Sequence, residues 1–180
     1  MENDRRSEDE IRSEREERQE DDILCEAVPG GILLTGNAGG GKLVMRAEET
    51  GRDWTVIVTG GAAPHIGCAV LAVPRESLRG DGKQSSTASV LNVTGHKDEE
   101  ICRYVAERMA AATGRTVVCT GGVHIDGITR NQIDRIRSVA AEMTARLVGT
   151  AAQRQEKNVK KEKAEEKKEA GEKKEAEEKR

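Results

Sequence analysis

No phenylalanine occurs in these 180 residues, and Trp54 and Tyr104 are the only tryptophan and tyrosine. Any core must therefore be closed by Val, Ile, Leu, Ala and Met. Charge shows where that core is. Residues 1–22 hold 11 acidic side chains against 5 arginines, and 153–180 hold 11 basic against 9 acidic. The stretch between is almost balanced, with 14 basic and 13 acidic residues. The pattern predicts one domain of about 130 residues between two charged tails. A domain of that size buries roughly two-thirds of its unfolded surface and folds without staples.

The longest apolar run, Cys68-Ala-Val-Leu-Ala-Val73, is far short of the about 20 residues a membrane span needs. The acidic start has no apolar h-region of a secretory signal. Cys25, Cys68, Cys102 and Cys119 form no CxxC, so free thiols in a reducing cytoplasm are expected. A near-neutral domain without a basic stripe argues against nucleic acid as a partner.

Residues 1–22 are too poor in apolar side chains to offset their ordering entropy and are expected to be disordered or a frayed helix. Residues 23–41 form a Gly-rich lead-in, expected as a flexible linker. Strands are predicted at 43–49 and 54–59 around a Thr50–Asp53 turn, at 67–73 where Pro74 stops the run, and at 87–93. The segment 75–86, with Ser85-Ser86, reads as a polar loop. A helix follows Asp98-Glu-Glu100, with Ile101, Tyr104, Val105, Met109 and Ala112 on one face and Gly114 as its stop. Thr116–Thr120 reads as a buried strand. The last helix opens on a Thr129-x-x-Gln132 capping box, carries Ile133, Ile136, Ala140, Met143 and Leu147 on one stripe, and closes at Gly149. The order ββββαβα predicts an α+β fold: a mixed, largely antiparallel sheet of about five strands with two helices packed on it. Residues 151–180 repeat Lys and Glu at spacings that support a solvated helix, with no apolar seam for a coiled coil.

Gly36-Asn-Ala-Gly-Gly-Gly41-Lys42 fits the spacing of a phosphate-binding P-loop, but that loop needs Ser or Thr next and then a helix. Position 43 is Leu, and the residues beyond alternate like a strand. The P-loop reading is rejected.

The three histidines each fall in a glycine-flanked loop: Thr59-Gly-Gly-Ala-Ala-Pro64-His65-Ile-Gly67, Gly95-His96-Lys97-Asp98, and Gly121-Gly-Val-His124-Ile-Asp126. Loops held by a rigid scaffold carry binding residues. Gly60-Gly61 suits an anion-binding turn, Lys97 adds a cation, and Asp98 and Asp126 suit the orientation of an imidazole. His65, His96 and His124 equally suit a divalent first-row transition metal, with the carboxylates orienting them. No arrangement marks a catalytic nucleophile.

These three motifs, in this order and spacing and together with Ile128-Thr129 and Gln132-Ile133, resemble the LpdD-like proteins, accessory proteins of gallate-type decarboxylase systems. The resemblance spans about 42–150 and implies a prenylated-flavin chaperone or maturation factor. By that resemblance, prenylated FMN would be held around Thr59, Gly60, Gly61, Pro64, His65, Gly67, His96, Lys97, Asp98, His124 and Asp126. A UbiD-like decarboxylase would receive it, and a UbiX-like prenyltransferase would supply it. Only Trp54 and Tyr104 offer rings to stack on an isoalloxazine. Two alternatives stand beside this reading: a metal-assisted enzyme acting on the bound flavin, and a non-catalytic scaffold for the decarboxylase. A domain with short loops and little aromatic core is also expected to be completed as a homo-oligomer.

Overall fold

The computed structural model describes residues 23–178. The expectation for residues 1–22 lies outside the described residues. Seven strands form one sheet in the order β1-β2-β3-β4-β7-β5-β6: β1 Leu24–Val28, β2 Gly31–Asn37, β3 Lys42–Thr50, β4 Asp53–Gly61, β5 Cys68–Glu76, β6 Gln84–Asn92 and β7 Val117–His124. All neighbours are antiparallel except β4 and β7. Two helices, α1 Glu99–Thr113 and α2 Arg130–Glu178, cover the sheet. The α+β class, with a mostly antiparallel sheet and two helices, is as expected; the strand count is seven rather than five.

The two extra strands come from the lead-in. Residues 24–37 form the β1–β2 hairpin, because Ile32 and Leu34 alternate into the core and pair with β3 at Ala47 and Met45. Their burial, roughly 1.5–3 kcal/mol for each such side chain, outweighs the glycines around them. Pro74 does not stop β5. β7 pairs with β5 only over Cys68–Ala72, so Pro74 lies beyond that ladder, where its missing N–H costs no inter-strand bond to β7. The polar loop shrinks to 77–83, and Ser85-Ser86 belong to β6, where the Ser86 hydroxyl donates to the Glu107 carbonyl at 3.1 Å.

The Thr50–Asp53 hairpin and the Gly114 stop form as expected, with Gly114 at φ +65° donating to the Ala110 carbonyl at 3.0 Å. The buried stripe of α1 is rotated from the expected one. Cys102, Val105, Ala106, Met109 and Ala110 are buried, whereas Tyr104 and Ala112 face outward. Small side chains let this helix lie close to the sheet, a signal that hydropathy alone does not weigh. The capping box of α2 is complete: Thr129 N–H donates to Gln132 Oε1 at 2.9 Å, and Gln132 N–H to Thr129 Oγ1 at 3.3 Å. Gly149 does not end the helix. Ala151 is fully buried, Arg154 bonds the Gly31 carbonyl, and its Nε stands 3.9 Å from Glu49 Oε1. These contacts carry α2 past the glycine and into the Lys/Glu repeat. Among the described residues, no helix is long and apolar enough to cross a membrane.

The parallel pair fixes the site. Because β4 and β7 run in the same direction, their ends Gly61 and His124 are register partners. β5 begins and β6 ends at that same edge, since Cys68 pairs with both Gly121 and Asn92.

Candidate functional site

That shared edge brings all three histidines together from positions 65, 96 and 124. The 62–67 connection leaves β4, the 93–98 connection leaves β6, and both are tied back to the ladder. Gly67 N–H donates to the Gly121 carbonyl, and Val93 N–H to the Gly67 carbonyl, each at 2.9 Å. His65 Nε2 lies 2.8 Å from His96 Nδ1, and their ring centroids are 4.6 Å apart. His65 and His124 meet edge to face at 6.1 Å. His124 is the last residue of β7 rather than part of a loop, and its Nε2 pairs with Asp126 Oδ1 at 3.0 Å.

Asp98 is the hinge of the arrangement. It is the N-cap residue of α1, yet its carboxylate makes no cap bond to that helix. Oδ1 instead accepts the Val123 N–H at 2.9 Å, and Oδ2 stands 3.4 Å from both His65 Nε2 and His96 Nδ1. Its side chain is only 12% exposed, so a charged-group hydrogen bond here is worth more than on an open surface. His65 Nδ1 faces the Ala63 carbonyl at 3.1 Å. A carbonyl only accepts, so this nitrogen carries the proton in neutral His65 and Nε2 presents a lone pair.

Two glycines leave the space the side chains fill. A Cβ at Gly67 would sit 2.0 Å from Asp98 Oδ2, and one at Gly122 would sit 2.7 Å from His65 Nε2. Gly60 and Gly61 act differently from the anion-binding turn expected of them. Both lie in β4, paired with Val123 and His124, and a Cβ on Gly61 would run into the His124 carbonyl. They permit close strand approach, while Thr59 beside them pairs with Val44 and Gly122. Gly36 and Asn37 end β2, residues 38–41 turn the chain directly into β3 rather than into a helix, and Gly40 lies against Ile125 and Gln132.

The histidines open onto a cleft of about 550 Å³, within the range of small-molecule sites. Ile101, Val123, Ile128, Ile133 and Ile136 form its apolar wall. Lys97, Arg130 and Arg137 bring cations to it. Arg137 is clasped to Glu100 of α1 at 2.6 Å, which ties the two helices together at the rim. Lys97 has no ion-pair partner among the described residues. Pro64 and Asp126 are exposed at the margin.

Two expectations change here. Trp54 is not available for stacking: it is buried at the opposite end of β4, pairing with Val117, and its Nε1 finds no acceptor among the described residues. Tyr104 faces away under Arg108, whose guanidinium carbon is 5.5 Å from the ring. The rings in the cleft are imidazoles. Second, among the described residues the donors close enough to share one ion are His65, His96 and Asp98; His124 is not in that group. The isoleucine wall, the Glu100–Arg137 clasp and the spacing role of Gly122 are absent from the sequence reading. Ile133 and Ile136 already stood on the predicted stripe, and only their place at the cleft was hidden.

The thiols lie behind the site. Cys68, Cys102 and Cys119 are buried and free. Burial, then the neighbouring Cys102, pushes Cys68 up to about 12. A hydrogen bond with Cys119, followed by burial, raises Cys102 strongly. Protonated thiols of this kind are inert rather than nucleophilic.

The family model described as the prenylated flavin chaperone LpdD-like domain matches residues 37–152. No curated protein matches the chain. Among solved structures, a chain from the crystal structure of a novel chaperone complex for yeast 20S proteasome assembly is similar at 11% identity. The match covers 73% of this chain and 97% of that one, with a TM-score of 0.41. So distant a likeness carries no argument about this protein.

Proposed function

Because this chain belongs to the prenylated flavin chaperone LpdD-like family, we propose that its histidine cleft holds prenylated FMN and delivers it to a UbiD-like decarboxylase. One observation carries the assignment to this cleft: His65, His96 and His124, from three separate segments, converge on a single opening with an apolar wall. The aliphatic ring that prenylation adds to a flavin suits the Ile101, Ile128, Ile133 and Ile136 side. The phosphate suits Lys97, which no carboxylate pairs with among the described residues, with Arg130 nearby. Imidazole edges offer donors and acceptors to the flavin's polar rim.

The cleft is open rather than closed over, which suits a protein that must release its cargo as well as bind it. A UbiX-like prenyltransferase is the source of cargo in this scheme, and the cytoplasm, where the free thiols persist, is its compartment. The test is transfer. Apo decarboxylase mixed with the flavin-loaded protein gains activity in step with loss of flavin from this chain. Free flavin at the same concentration that activates the decarboxylase equally fast overturns the delivery role.

A further inference from the structure

We propose that His65 Nε2, His96 Nδ1 and Asp98 Oδ2 form a three-ligand site for one first-row divalent transition ion, with its open coordination positions turned toward the cleft. The inference rests on donor geometry and stands independently of the flavin reading.

The three donor atoms are separated by 2.8, 3.4 and 3.4 Å. A circle through them has a radius of about 1.9 Å, just below the roughly 2.0–2.2 Å of nitrogen and carboxylate bonds to such ions. One ion therefore fits slightly outside their plane, at bonding distance from all three, once the proton that His96 Nδ1 donates to His65 Nε2 has moved to His96 Nε2. The 2.8 Å spacing matches the edge of an octahedral face and the two 3.4 Å spacings match that of a tetrahedral one, so the site closes neither option. Two imidazoles and one carboxylate on one side of an ion, with the other side free, is a donor set suited to iron(II), cobalt(II) or zinc(II).

The surrounding contacts orient each ligand. His65 Nδ1 is anchored on the Ala63 carbonyl, which directs the Nε2 lone pair inward. Asp98 Oδ1 is occupied by the Val123 N–H, which leaves Oδ2 for the ion. A surface ion pair of convenience shows neither feature. Gly67 and Gly122 keep clear the volume the carboxylate and the His65 ring occupy. All three ligands line the cleft, so an ion held by them would meet a cleft-bound molecule through its open positions. His124, turned to Asp126, is left outside the ligand set.

The test uses the metal alone. Full-length protein is stripped with chelator, dialysed, and titrated with cobalt(II) and zinc(II) in separate calorimetry runs; visible ligand-field bands report cobalt coordination. Wild type takes up one ion per chain. His96→Gln, on a partly exposed loop, and Asp98→Asn, which retains an acceptor for Val123, bind at least about 100-fold more weakly, beyond the 10–100-fold typical of losing a mere orienting partner. Thermal unfolding of each variant is recorded, and if Asp98→Asn does not fold, His96→Gln decides. No uptake by wild type, or undiminished uptake by the folded variants, overturns the site. Because no flavin enters the experiment, failure here leaves the flavin assignment to be judged by its own test.

Discussion

A Cβ on residue 67 would lie 2.0 Å from Asp98 Oδ2, so Gly67 and Asp98 occupy one shared volume. The substitution Gly67→Ala pushes the carboxylate off both histidines and off the Val123 N–H. That leaves a backbone donor unpaired at a cost of about 1–3 kcal/mol. Expected outcomes are a lower unfolding midpoint and loss of flavin affinity together. Calorimetric unfolding paired with a flavin titration checks both, and an unchanged titration contradicts this placement of Asp98.

Gly149 is the opposite case. It sits inside α2, without positive φ and with nothing within 4 Å of the position a Cβ would take. Gly149→Ala removes the helix-interior penalty and stabilises the protein by roughly 0.5–1 kcal/mol. At this chain length that is an upward shift in Tm of about 1–4 °C. Cofactor binding is unaffected. A lower Tm means that the helix does end near residue 149.

The thiols give a counting experiment. Cys25 is exposed, whereas Cys68, Cys102 and Cys119 are buried. A thiol reagent labels one cysteine in the native protein at neutral pH and four after denaturation. The raised Cys68 and Cys102 also couple to stability. When a folded-state pKa lies above the unfolded one, the folded state holds its proton longer, so stability is complete below the ordinary value of 9.0 and falls as pH climbs toward about 12. Denaturant midpoints should therefore hold nearly level up to about pH 9 and decrease from there to pH 11, and a profile flat across that upper range contradicts the thiol burial.

The convergence of the histidines was legible because each stands near glycine at or just beyond the end of a strand. What the spacing did not contain is the partner of each. Asp98 reads both as a charge at a helix N-terminus and as a carboxylate to orient an imidazole, and only the structure shows that the imidazoles it meets are those of His65 and His96. Gly60-Gly61 reads as an anion turn for the same reason that it serves close strand pairing: glycine permits both, and the neighbouring strand decides. The β1–β2 hairpin was hidden by glycine content, because Ile32 and Leu34 are too few to signal a strand until β3 pairs with them. Trp54 opens the predicted 54–59 strand at the end away from His65, and Tyr104 stands on the predicted packed face of its helix, which the closer packing of Cys102, Ala106 and Ala110 turns outward.

The central claim is that the cleft binds prenylated FMN. It is tested most directly by native mass spectrometry of the full chain after anaerobic incubation with the reduced cofactor, comparing wild type with the His65→Ala/His124→Ala double variant. The account predicts a mass increase of one flavin per chain in wild type and its loss in the variant, with the variant's charge-state distribution still that of a folded protein. Flavin retained equally by both would contradict the account and place the cofactor elsewhere.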